Sequence, residues 1–305
     1  MPTDVIAYAP VLNAGRNDID PFDFTYGARV RLEPDGDLDI RRSVYREFED
    51  DSVSARERVH LDTARAWIWY RASLPAVTTQ DHIENVARAA GIVRTLLWCA
   101  DLAGCGENDY WRSAGLHAHG VYVYCLQLRD IRVQRSQFLY NIPIEPERTA
   151  GWTEERLRLA DSLREALAAY QGTVIPRLAI AHELRYRLAA FDASTWNARF
   201  MLAGTALETF YVAPSERQYF WEVAPRVQQV CGINVTIGAT FFDDYRNLRN
   251  DITHRGGVYN NPIQNGDLWR TISTTERILR ATVRWGIQNQ QLIADHFDRD
   301  SWPPA

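Results

Sequence analysis

Residues 241–257 read Phe-Phe-Asp-Asp-Tyr-Arg-Asn-Leu-Arg-Asn-Asp-Ile-Thr-His-Arg-Gly-Gly, and the interpretation of the whole chain depends on this stretch. At about 100° per position of an α-helix, four apolar side chains fall within one narrow arc: Phe241, Tyr245, Leu248 and Ile252. The opposite face carries Asp243, Arg246, Asn250 and His254, and Arg249 lies at the border. The two glycines supply the left-handed residue and the flexibility that end a helix. The stretch therefore predicts an amphipathic helix with His254 in its last turn.

The composition is that of a soluble globular protein. The chain has 305 residues, of which 46% are apolar and 24% charged, so two domains are expected. The net charge is −5 and all 34 basic residues are Arg, so a nucleic-acid site requires a local Arg cluster. The sequence shows neither a signal peptide nor an apolar run long enough to span a bilayer. Its four cysteines show no disulfide framework, and together these features predict a cytoplasmic protein that does not enter a membrane.

The two halves of the chain differ in periodicity. The part before residue 141 contains strand patterns at residues 28–32, 38–40, 66–70 and 120–128. It also contains a helix pattern at 80–100 behind Thr78-Thr79, and it ends at a proline-containing linker at 141–151. Helical patterns then follow at residues 154–170, 176–191, 195–211, 215–232, 241–255 and 268–291, with the fourth capped by Ser215 and interrupted by Pro225. We therefore predict a mainly α chain. Residues 1–150 form a mixed α/β domain that senses a signal or positions a substrate, and residues 151–305 form an antiparallel helical bundle.

Within such a bundle, the stretch resembles the motif of the HEPN superfamily, in which an Arg is followed by four to six residues and a His. Here the motif is Arg249-Asn-Asp-Ile-Thr-His254. Residues 200–210, Phe-Met-Leu-Ala-Gly-Thr-Ala-Leu-Glu-Thr-Phe, are similar to the first long helix of the Apea-like branch. Residues 245–254 resemble the motif-bearing helix of that branch. The resemblance covers roughly residues 175–295 and implies a HEPN-like fold for the bundle.

The resemblance also implies an activity, a partner and a biological role. HEPN proteins of this kind are endoribonucleases that need neither a metal ion nor a cofactor, and they act in toxin, stress or anti-phage defence systems. Two copies face each other through the motif helix, here residues 240–255, so RNA and a second copy of the chain are the implied partners. Some family members carry a Tyr two residues after the His, as a target for nucleotide transfer by an antitoxin. Gly256 occupies that position here, and we do not predict that form of control.

The residue types suit RNA cleavage through the ribose 2′-hydroxyl. His254 is the candidate base or acid, because imidazole ordinarily titrates near neutral pH. Arg249 offers a planar fork to phosphate oxygens. Asn250, one turn before His254, either orients the imidazole or holds a phosphate oxygen. Three further residues are expected to support the site or bind RNA: Arg246, Arg255 and Glu208. Glu208 is either a partner of Arg249 or an ordinary surface acid, and the sequence leaves both open.

Other interpretations of the same residues remain open. A non-catalytic HEPN module would use the Arg, Asn and His face to bind RNA, a nucleotide or a protein partner. A purely structural bundle would leave that face solvated. Histidine and cysteine side chains bind zinc, and five of them lie near one another in sequence: Cys99, Cys105, His117, His119 and Cys125. Because the spacing of the cysteines is irregular, we predict no metal site. Trp111 and Trp152 are candidates for stacking on a base.

Overall fold

The computed structural model describes residues 2–11, 21–31, 66–103, 120–125, 130–135, 153–169, 193–212, 217–232, 235–256 and 265–290. The chain divides into two compact units. The first contains residues 1–104 and 112–164, and the second contains residues 105–111 and 165–305. The predictions for residues 38–40, 141–151 and 176–191, and those for Ser215, His117, His119, Trp111 and Trp152, lie outside the described residues.

The first unit contains an antiparallel sheet with the strand order β2-β3-β4-β1-β5-β6. Its strands are β1 (Thr3–Val11), β2 (Phe22–Asp23), β3 (Ala28–Arg31), β4 (Ala66–Leu74), β5 (Gly120–Cys125) and β6 (Asp130–Arg135). β1 is central, since its Val5 lies opposite Ala72 of β4 and opposite Cys125 of β5. Pro10 lies beyond the segment of β1 that pairs with β5, where β4 is the strand paired with β1.

Helix α1 (Thr79–Ala103) contacts β1, β4 and β5. Its buried face repeats every three or four residues and includes Val86, Ala89, Ala90, Val93, Leu96, Leu97 and Ala100. Thr78 caps the helix, because its hydroxyl oxygen accepts a hydrogen bond from the Asp81 N–H at 3.2 Å. The Asp81 carboxylate in turn accepts from the Thr78 N–H at 2.7 Å, and this hydrogen bond lowers the pKa of Asp81. The predicted helix and its Thr78 cap are confirmed.

Helix α2 (Glu154–Ala169) packs mainly within the first unit. The Arg156 guanidinium donates to the Ala100 carbonyl of α1 at 3.1 Å, and the Thr25 N–H donates to Asp161 at 3.0 Å. The units therefore divide between residues 164 and 165, whereas the sequence placed the division near residue 150. The periodicity of α2 predicted a helix with a buried face, but not the partner that covers this face.

The second unit contains helix α3 (Ala193–Tyr211), a short 3₁₀ helix (Phe220–Glu222), and helices α4 (Ala224–Cys231), α5 (Phe241–Arg255) and α6 (Gly266–Gln288). α6 contacts α3, α4 and α5 and is buried along most of its length. Asn265 caps it by accepting from the Asp267 and Leu268 N–H groups, each at 3.2 Å. Tyr211 hydrogen-bonds Thr282 of α6 at 2.8 Å inside this core.

The coarse fold prediction is confirmed: the described chain is mainly helical and carries an antiparallel sheet in its N-terminal part. One local prediction is wrong. Pro225 lies in the first turn of α4 and does not interrupt a longer helix, because an N–H is not needed at that position. Strands β1, β2 and β6 were not predicted. None of the described helices has both the length and the apolar character required to cross a membrane.

Candidate functional site

Helix α5 has the amphipathic character that its sequence predicted. Phe241, Tyr245 and Leu248 are buried, and Ile252 is half-buried near the end of the helix. Gly256 ends the helix in the left-handed conformation with φ of +80°, and its N–H donates to the Asp251 carbonyl. The last turn therefore presents His254 beside the carbonyl end of the helix.

Tyr245 fixes how α5 packs against α3. Its ring lies 5.0 Å from the Phe200 ring of α3 and 4.9 Å from the Phe220 ring of the 3₁₀ helix. A Cβ at Gly204 of α3 would lie only 2.4 Å from the Tyr245 hydroxyl oxygen. The absence of a side chain at residue 204 therefore lets the phenol approach the α3 backbone. Burial raises the pKa of Tyr245, and Glu208 raises it further, so this side chain is neutral at physiological pH.

The same packing brings Arg249 of α5 to Glu208 of α3. The Nε of Arg249 lies 2.8 Å from one carboxylate oxygen, and its Nη2 donates to the other at 3.3 Å. Both side chains are one-quarter exposed, so the pair is only partly screened by water. The guanidinium carbon also lies 5.6 Å from the centre of the Trp221 ring, within the usual range of a cation–π contact. Arg249 is thus held from two sides, and its Nη1 has no described partner.

Three polar residues of α5, Arg246, Asn250 and His254, follow one another at four-residue intervals, and we call them the polar row. Arg246 and His254 are exposed, and Asn250 is half-buried. None of the three side chains forms a hydrogen bond or an ion pair with another described residue. The polar row is therefore open to a ligand or to another protein chain.

Arg255 and Thr253, which flank His254 on α5, form contacts within the helix. Arg255 pairs with Asp251 at 3.1 Å along the helix, and the Thr253 hydroxyl donates to the Arg249 carbonyl at 2.8 Å. The Arg255 side chain is 80% exposed, so its ion pair leaves most of the side chain accessible to solvent.

The structure places the predicted site residues in two groups. Glu208 and Arg249 form one group at the contact between α3 and α5, and the polar row forms the other on the solvent face of α5. In the described part of the chain, no hydrogen bond or ion pair links Arg249 to His254. Chemically, the first group offers a guanidinium with a fixed orientation, and the second offers an accessible imidazole.

Two aromatic residues near Arg249 were not identified as site residues from the sequence. Tyr219 and Trp221 have parallel rings, with centroids 4.5 Å apart and an interplanar angle of 6°. The run Tyr219-Phe-Trp221 was the available signal, since three consecutive aromatics beside a helix start cannot all face one core. The structure buries the middle residue, Phe220, and leaves Tyr219 53% exposed.

A metal site is not seen among the residues that the structure describes: no group of three or more His, Cys, Asp or Glu side chains is arranged to bind an ion. Cys99, one of the candidate thiols, is buried in α1. Burial raises the pKa of its thiol to about 12, so it stays protonated at neutral pH.

Comparisons of this chain with protein-family models, with curated proteins and with solved structures found no match. Its function must therefore be inferred from the chemistry of its own residues. The two most informative features are the Glu208–Arg249 pair and the polar row.

Proposed function

We propose that the second unit is a HEPN-type endoribonuclease that cleaves RNA without a metal ion. The observation that carries the proposal is the open polar row next to a fixed Arg249. His254 and Arg246 are exposed, and the polar row has no partner among the described residues. Arg249 is held at the edge of the same helix by Glu208. An accessible imidazole and an oriented guanidinium are the two groups that this cleavage requires.

The proposed reaction is an internal transfer of the phosphate. The ribose 2′-oxygen forms a bond to phosphorus while a base takes the 2′-hydroxyl proton. The bond between phosphorus and the 5′-oxygen breaks, and an acid gives that oxygen a proton. The products are a 2′,3′-cyclic phosphate and a 5′-hydroxyl end, and no oxidant, reductant or water molecule is consumed.

Each site residue then has a distinct role. His254 acts as the base or the acid, Arg249 stabilises the negative charge that develops on the phosphorane, and Asn250 orients the imidazole or holds a phosphate oxygen. Glu208 positions Arg249 without touching the substrate. The exposed Arg246 and Arg255 bind flanking phosphates and concentrate positive charge in a protein whose net charge is −5.

A homodimer through α5 completes the proposed site. A single imidazole does not serve as base and acid in the same step, and a second His254 from a facing α5 supplies the complementary group. Asn247 is exposed on α5 next to the polar row, and Arg270 is exposed on α6. Under mild oxidation, Asn247→Cys should form a disulfide-linked dimer, whereas Arg270→Cys should not. Equal cross-linking of the two variants would argue against this interface.

The enzymatic proposal is tested by incubating labelled RNA with purified protein in EDTA. Wild type should cleave, and His254→Ala should reduce the rate by about 100-fold or more, since general acid–base catalysis contributes on that scale. Arg249→Ala should also be impaired. The matched control is Arg270→Ala, which removes an exposed Arg that pairs with Asp267 on α6 and should leave cleavage unchanged. Equal rates for wild type and His254→Ala would refute the proposal.

A non-catalytic RNA-binding module is the second candidate. The Glu208–Arg249 pair favours it, because the carboxylate already occupies part of the fork that a phosphorane would need. This candidate predicts RNA binding that weakens as salt increases, with no cleavage by wild type.

The proposed biological role is RNA degradation in a toxin, stress or anti-phage system. Expression of wild type should then arrest growth, and expression of His254→Ala should not. Equal growth of the two strains would contradict this role.

A further inference from the structure

Tyr219 is one of two exposed tyrosines in the described part of the chain, and Tyr26 is the other. Tyr219 is 53% exposed, whereas Phe220 beside it is fully buried. The Trp221 ring stacks on Tyr219 with its plane only 6° from parallel. One face of the Tyr219 ring is therefore covered by Trp221, and the opposite face contributes to its large exposed area.

We call Tyr219 and Trp221 the aromatic step, and its backbone is held in place. The Glu222 carboxylate accepts from the Tyr219 N–H at 2.8 Å, and the Glu222 N–H donates to the Tyr219 carbonyl at 2.9 Å. Phe220 anchors the same turn in the core, with its ring 4.9 Å from that of Tyr245. A ligand would therefore meet a surface that is already ordered, which lowers the entropic cost of binding.

Two Arg residues lie near the aromatic step, Arg249 in space and Arg217 in sequence. The Arg249 guanidinium is 5.6 Å from the Trp221 ring centre. Arg217, two residues before Tyr219, is exposed and has no ion pair with a described residue. Flat aromatic faces flanked by Arg side chains are the combination that binds single-stranded nucleic acid, since bases stack and phosphates pair with the cations.

We infer that the aromatic step is a nucleobase-binding subsite for single-stranded RNA, with a base stacked on Tyr219 and the adjacent phosphate directed to Arg249. This inference rests on the proposed function, because it gives the same RNA a second contact beside the proposed catalytic residues. Stacking is tolerant of base identity, so the subsite selects unpaired strands over duplexes more than it selects a sequence.

The test measures binding separately from cleavage. The probe is a fluorescent 2′-O-methyl oligonucleotide of about ten nucleotides, comparable to single-strand site sizes, and methylation removes the attacking hydroxyl. A second probe has the same backbone but lacks every base. Tyr219→Ala should weaken binding to the first probe between about fivefold and 100-fold and should leave binding to the second unchanged. Tyr219→Phe, which keeps the ring, should bind both probes as wild type does.

Tyr26 supplies a matched control in the first unit. Tyr26 is 45% exposed, and the guanidinium carbon of Arg164 lies 3.5 Å from the centre of its ring. Tyr26→Ala therefore removes an exposed tyrosine ring with an Arg neighbour, as Tyr219→Ala does. The control variant should bind both probes like wild type. If Tyr219→Ala also binds like wild type, or loses affinity equally for both probes, the subsite is refuted, whatever the cleavage assay shows. If binding depends on Tyr219 and on the bases but wild type does not cleave RNA, the subsite stands and the nuclease proposal fails.

Discussion

Replacing Gly204 by Ala tests the contact between α3 and α5 that positions Arg249. The new Cβ would lie 2.4 Å from the hydroxyl oxygen of Tyr245 and 3.4 Å from its Cζ. Tyr245 is 1% exposed and enclosed by rings, so it has little room to move. Overpacking typically costs about 1–3 kcal/mol, whereas Ala in place of Gly inside a helix gains about 1 kcal/mol. The difference is between about 0 and 2 kcal/mol, and we expect Gly204→Ala to lower the free energy of unfolding within that range.

Two companion variants separate the steric clash from helix propensity. Gly91→Ala makes the same substitution inside α1, where a Cβ meets no atom within 4 Å, and should stabilise by about 0.5–1 kcal/mol. Tyr245→Phe removes the hydroxyl oxygen that the new Cβ at residue 204 would meet at 2.4 Å. The nearest remaining ring atom, Cζ, would lie 3.4 Å from that Cβ, an ordinary contact distance. In the Phe background, Gly204→Ala should therefore become neutral or stabilising.

The assay is urea unfolding of the full chain, followed by circular dichroism and by tryptophan fluorescence. The wild type, both single variants, the double variant and Gly91→Ala are compared under one condition, and a double-mutant cycle gives the coupling energy. If Gly204→Ala stabilises as much as Gly91→Ala does, the described approach of Tyr245 to α3 is wrong. Failure of Tyr245→Phe to relieve the cost would refute the same reasoning.

Glu208→Gln removes the carboxylate that competes with RNA phosphates for Arg249, so a 2′-O-methyl oligonucleotide should bind more tightly at low salt. The slope of the logarithm of the binding constant against the logarithm of the salt concentration should steepen by about 0.7. An unchanged slope would count against phosphate binding by Arg249. Burial raises the pKa of Tyr211 and of Tyr245 above the ordinary value of 10.0, so their stabilising contribution is complete below that pH and is lost as pH rises above it. The urea concentration at the unfolding midpoint should fall as pH rises above 10.0, and it should fall less steeply for Tyr245→Phe than for wild type. An equal pH dependence of the two midpoints would contradict the raised pKa of Tyr245. Burial raises the pKa of the Cys99 thiol to about 12, so iodoacetamide should modify Cys99 at neutral pH only after the protein unfolds. Peptide mass spectrometry measures the modification. Modification of Cys99 in the native protein would contradict its burial.

The sequence predicted elements whose periodicity is local. α5 was predicted because Phe241, Tyr245 and Leu248 recur at helical spacing, and Gly256 ended it as expected. α1 likewise followed from its repeating apolar face and its Thr78 cap.

Elements that depend on distant partners were missed. In β1, Val5, Ala7 and Ala9 alternate as buried residues, but alanine has weak β-propensity and the strand forms through pairing with β4 and β5. The assignment of α2 to a unit depended in the same way on Asp161 and Arg156, whose partners lie far away in the chain.

The candidate site was predicted in its composition more fully than in its arrangement. The sequence left Glu208 as either a partner of Arg249 or an ordinary surface acid, and the structure shows the pair. The orientation of Arg249 towards Glu208 of α3 depends on the packing of Tyr245 against α3, which no local pattern encodes. The aromatic step was missed because its parallel rings result from a short 3₁₀ turn anchored by Phe220.

The most direct test of the central claim is an analysis of the RNA ends produced in EDTA by wild type and by His254→Ala. Wild type should generate 2′,3′-cyclic phosphate and 5′-hydroxyl ends, and His254→Ala should generate them at least about 100-fold more slowly. Cleavage by His254→Ala at the wild-type rate, or no cleavage by wild type, would show that the second unit does not cleave RNA through His254.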